Sequence, residues 1–134
     1  MSDRNAEAVR LLRIARRDLK SFLLLKTGGT EYAVDAKFHA QQAIEKCLKA
    51  ALVANNLKAR RIHSLLDLAM ELKFGGIDIP FNPEDLDKLT PYAVMLRYDD
   101  EEFVTLDFTE ATRLVEGVIE WAKGQVEVRS GGIG

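Results

Sequence analysis

Asp35, His39, Gln42 and Lys46 are spaced by four, three and four residues. At 100° per residue that spacing sets an acid, an imidazole, an amide and an ammonium along one strip of a helix. Such a strip can hydrogen-bond a base and hold a phosphate by charge. The same four residues also suit an ordinary solvated flank, its side chains paired with one another. A second group stands at Arg97, Tyr98 and Asp99. If it packs against the strip, Lys46 and Arg97 hold a phosphate, Tyr98 stacks on a base, and His39 and Gln42 supply hydrogen bonds. Gln42, Glu45 and Arg97 could instead form an internal polar cluster that fixes helix packing.

Other chemistry is thinly supported. Arg10, Arg13, Arg17 and Lys20 line the back of an amphipathic segment, able to steer an RNA backbone or to serve as a plain solvated face. His63 reads most simply as a cap, and two histidines on different helices without a paired acid make no zinc site. Asp99, Asp100, Glu101 and Glu102 read as a solvated acidic loop rather than a Mg²⁺ site. Ser64 lacks a base and an orienter. Neither a metal nor another cofactor is expected, and no residue is assigned a catalytic role.

The elements that must position these groups are helical. Tyr32 to Asn55 holds neither proline nor glycine, and Ala36, Ala40, Ala43, Cys47, Ala51 and Ala54 share one face, with Ala33 and Ile44 beside them. Small residues allow a neighbouring helix to approach closely. On the other side Val34, Phe38 and Leu52 form a second apolar patch bordered by Gln41, Glu45 and Lys49. It calls for a further helix of the bundle or the same helix of a second subunit.

An amphipathic helix is predicted from about Asn5 to Lys26, ended by Gly28-Gly29, with Thr30 capping the next. Ser64 or His63 caps a third helix running to about Phe74, where Gly75-Gly76 stops it, and Ile77 to Phe81 crosses in an irregular form. Asn82-Pro83-Glu84-Asp85 is a strong helix start. Pro91 should kink or restart that element, with Thr90 as a cap. Thr109 is the expected cap of the last helix, whose stripe is Ala111, Leu114, Val115, Val118, Ala122 and Val126. No strand alternation or repeat is present, so the fold class is all-α, an antiparallel up-and-down four-helix bundle with an extra short helix.

Composition fits one domain over residues 1–128 and a frayed tail over 129–134. A chain of 134 residues with 47% apolar and 30% charged residues can fill one core without disulfides. Its net charge of −2 gives no global attraction to nucleic acid or membrane, so any such contact must be local. The lone cysteine, Cys47, excludes a disulfide framework, and the absence of an apolar leader or span points to the cytoplasm.

The segment Phe38-His39-Ala40-Gln41-Gln42-Ala43-Ile44-Glu45-Lys46-Cys47-Leu48-Lys49-Ala50 resembles the signature helix of the HEPN family (higher eukaryotes and prokaryotes nucleotide-binding domain). His63-Ser64-Leu65, Pro91-Tyr92 followed by Arg97-Tyr98-Asp99, and a final helix ending near Trp121 agree in order, so the similarity covers about residues 8–127. The resemblance implies a helical bundle, commonly a homodimer. It also implies nucleotide binding and work beside a minimal nucleotidyltransferase, as in toxin-antitoxin modules. Many members are metal-independent ribonucleases carrying an Arg followed four to six residues later by a His. Here Arg97 has no histidine after it, so the general base that RNA cleavage needs is missing from that motif. The leading expectation is therefore a noncatalytic domain that binds a nucleotide-type ligand or a nucleotidyltransferase partner. The alternatives are a ribonuclease using His39 or His63 with Arg97, and a purely structural dimeric adaptor.

Overall fold

In a computed structural model that describes residues 3–58, 61–93 and 107–130, the chain forms five helices. These are α1 (Asp3–Leu25), α2 (Ala33–Ala54), α3 (Leu65–Phe74), α4 (Pro83–Asp87) and α5 (Phe108–Ser130). No strand occurs among the described residues, and the all-α bundle expected from the periodicity is what is found.

The small-residue face explains why α2 lies at the centre. Ala36, Ala40, Ala43, Cys47, Ala51 and Ala54 are all buried, and α2 packs against α1, α5 and α3. With little side-chain bulk between them, neighbouring backbones can approach closely. The larger core residues come mainly from the surrounding elements: Phe22 of α1, Leu65, Leu68 and Leu72 of α3, and Val115 and Val118 of α5. Leu52, expected in an outward apolar patch, is buried at 1% exposure because α3 and the turn Thr90–Ala93 pack on that side of α2. Leu52 thus finds its partner within the chain, whereas Val34 and Phe38 of the same patch stay half-buried.

The helix ends follow local chemistry, with two corrections. Thr30 does not cap α2: Thr30–Tyr32 forms a 3₁₀ turn, and α2 begins at Ala33 with no side-chain cap. Asp107 rather than Thr109 caps α5, its Oδ1 accepting from the Glu110 amide at 2.8 Å. Thr109 lies within the first turn.

The exits of α2 and α3 are alike. Asn56 (φ 60°) and Gly76 (φ 86°) sit in the left-handed region. The following amides, Leu57 and Ile77, then donate back to Leu52 and Leu72 at 2.8 and 2.9 Å. Thr90–Ala93 is a 3₁₀ turn, and the continuation expected after Pro91 lies outside the described residues. α5 runs to Ser130, two residues into the stretch expected to fray.

Candidate functional site

The charged part of α2 is organised around Glu45. Its side chain is 2% exposed, one turn beyond the fully buried Gln41. Gln41 Nε2 donates to Glu45 Oε1 at 2.9 Å and, more weakly, to the His63 carbonyl at 3.4 Å. Lys49 Nζ donates to Glu45 Oε2 at 3.1 Å, and His63 Nδ1 meets the same oxygen at 3.2 Å. His63 stands two residues before α3 and is brought against the side of α2 that carries Glu45.

Burial is the largest influence on the Glu45 carboxyl and by itself would raise its pKa. The Gln41 and Lys49 hydrogen bonds and the charges of Lys49 and Lys46 together outweigh it, holding the group below its ordinary value and ionised.

Two residues of the expected strip join this cluster. Gln42 Nε2 donates to Gln41 Oε1 at 2.7 Å, and its own Oε1 accepts from Lys46 Nζ at 3.1 Å. The Lys46 ammonium is 3.8 Å from Glu45 Oε2 and keeps 22% exposure. Of the internal polar cluster weighed from the sequence, Gln42 and Glu45 are linked through Gln41, while Arg97 lies outside the described residues; Gln41, Lys49 and His63 are members that the reading had left outside it. The signal was present: Gln41, Glu45 and Lys49 recur every four residues on the flank of an apolar patch, the pattern of a polar row buried by a neighbouring element.

His39 does not join. Its Nδ1 lies 2.9 Å from Asp18 Oδ1 of α1, and its ring packs edge-on against Phe38 at 5.3 Å between centroids. Six positions separate His39 from Glu45, which turns the two onto different sides of α2. Asp35, the first residue of the strip, makes no hydrogen bond or ion pair among the described residues. Arg97, Tyr98 and Asp99 lie outside the described residues.

On α1, Arg10 is turned onto Glu7 in a two-pronged contact at 2.8 and 3.0 Å. Its charge is locally neutralised, whereas Arg13, Arg17 and Lys20 are exposed and unpaired among the described residues.

Cys47 is fully buried, and burial pushes its thiol far above the ordinary range, so it supplies no thiolate. Among the described residues no group of three histidine, cysteine or acidic side chains is placed to hold a metal ion. No helix there is long and apolar enough to cross a membrane.

A family model described as HEPN domain matches residues 8–125 of the chain. No curated protein and no solved structure matches it.

Proposed function

The chain belongs to the HEPN domain family, and from that premise we propose that it acts by binding rather than by catalysis. The Gln42–Lys46 edge of α2 takes the phosphate of a nucleotide-type ligand, alone or on behalf of a minimal nucleotidyltransferase partner. One observation carries this reading: a single carboxylate, Glu45, faces two ammonium groups and an imidazole, at 3.1, 3.8 and 3.2 Å. Glu45 can neutralise one positive charge, and Lys49 holds it more closely than Lys46 does. Among the described residues Lys46 is left with a neutral amide as its nearest acceptor and with a path to solvent. That surplus charge, beside the Gln42 amide and the 68%-exposed His63, suits a phosphate oxyanion. The exposed cations Lys58 and Arg61 follow in the same connection that brings His63 to α2. Arg97 and Tyr98 are proposed to complete the site.

The experiment is thermal denaturation with adenosine mono-, di- and triphosphate. Stabilisation that rises with phosphate number and is lost in Lys46→Met supports the reading. Equal response in both proteins, or none, defeats it. The partner proposals are read separately: light scattering tests a homodimer meeting through the Phe38 side, and co-expression with a minimal nucleotidyltransferase tests the complex.

A second reading has its own observation. The Asp18–His39 pair leaves His39 Nε2 as a base oriented by a carboxylate, on the side of α2 that meets α1, which carries the free cations Arg13, Arg17 and Lys20. This is the ribonuclease alternative. RNA incubated with the protein and EDTA should be cut by wild type and spared by His39→Ala if it holds.

A further inference from the structure

From the far end of α1 and the start of α5 we infer a second anion site, built to hold the phosphate group of a small hydroxyl-bearing phosphate ester. An open surface depression of about 590 Å³ lies there, and Lys26 and Arg113 supply its cations. Lys26 is half-buried, its stem beside Phe22 with Nζ 5.7 Å from the ring centroid. Its hydrogen-bond partner among the described residues is the Thr112 hydroxyl at 2.8 Å, which in turn donates to the Phe108 carbonyl at 2.7 Å. No carboxylate lies within 4 Å of that ammonium among the described residues, and Arg113 likewise makes no ion pair or hydrogen bond there. Among the described residues this half-buried ammonium rests on one neutral hydroxyl and meets no counter-charge, an arrangement that suits an incoming anion.

The remaining walls narrow the ligand. The Thr109 hydroxyl makes no hydrogen bond among the described residues and can donate to a phosphate oxygen. Asp107 takes the Glu110 and Ala111 amides of the first turn of α5, and Lys26 and Arg113 carry the full positive charges at the site. The Phe108 ring is flanked by Phe22 and Lys37, which makes it a wall rather than a stacking platform, and a nucleobase gains nothing from it. Glu116 is the acid among the lining residues. It repels phosphate but accepts from a hydroxyl, which favours an ester with a polyol on that side over a free ion.

This site is distinct from the Lys46 edge. Lys46 lies nine positions along α2 from Lys37, whose ammonium sits over the Phe108 ring, or roughly 13 Å of helix axis.

Calorimetric titration of the full chain with ribose 5-phosphate, and in a parallel arm with inorganic phosphate, tests the site. Saturable binding of both is expected, tighter for the ester. Lys26→Met keeps the stem against Phe22 and removes the charge, Arg113→Gln removes the other cation, and each should weaken both ligands by at least about tenfold. Lys73→Met, on the exposed side of α3 and outside both sites, should leave both affinities within about twofold, and Glu116→Gln should shrink the preference for the ester. Should Lys26→Met fail to fold, the exposed Arg113 decides the matter alone. Absence of saturable binding, indifference to the Lys26 and Arg113 changes, or an equal loss of binding in Lys73→Met would each overturn the inference.

Discussion

Glu45 ties the stability of α2 to its chemistry. Removing its carboxylate strands the Lys49 ammonium, whose side chain is only 15% exposed. Breaking a buried ion pair costs roughly 3–5 kcal/mol, and the partial exposure of Lys49 places Glu45→Ala near the lower end, about 3 kcal/mol. Urea unfolding measures it directly. The same group sets a pH dependence. Its folded pKa is lowered relative to the unfolded chain. Its contribution is therefore fully present above the unfolded value of about 4.3 and is lost as the pH falls through the folded one. The melting temperature should drop below about pH 4.3, and Glu45→Gln should flatten that drop. The chemical strip was legible as a list of residue types, not as a set of partners. His39 finds its acid on α1 and Gln42 finds Gln41, pairings that depend on how helices dock and leave no trace in local spacing.

At the scale of elements, local signals were read well and distant ones were missed. Asn82 caps α4, and Gly76 with its φ of 86° closes α3, both as the spacing indicated. The entry to α3 differs. Ser64 accepts from the Asp67 amide at 3.2 Å as expected, but Thr90 and Asp87 reach back to take the Leu65 and Leu66 amides at 3.0 and 3.4 Å. Thr90 in turn donates to Asp87 Oδ1 at 2.7 Å, so one carboxylate fixes both the start of α3 and its angle to α4. Sequence reading had given Thr90 to the next helix because it sees neighbours along the chain only. Asp87→Ala should cost about 1–3 kcal/mol by leaving backbone donors unsatisfied, measured by chemical denaturation. Hydrogen exchange should increase first at the opening turn of α3. The close approach to α2 has its own test. Ala43 is completely buried, and Ala43→Leu should overpack the contact and destabilise the fold by about 1–3 kcal/mol.

Taken whole, the molecule has a slight negative charge, yet among the described residues cations that are unpaired or share one carboxylate stand at separate places. These are the Lys46 edge of α2, the Lys26 and Arg113 depression, and the outer row of α1. The bundle itself was legible because stripes of small and large apolar residues dictate which faces must meet. The site was less so, because Arg97 and Tyr98 lie outside the described residues and buried polar pairs are a tertiary property. The central claim is that Lys46, left over by Glu45, receives phosphate. An amide-resolved NMR titration of the full chain with adenosine triphosphate tests it most directly. The account predicts saturable shifts along Gln42 to Lys49 and at His63, abolished in Lys46→Met while the fold is retained. Shifts confined to other parts of the bundle, or unchanged by that substitution, would contradict it.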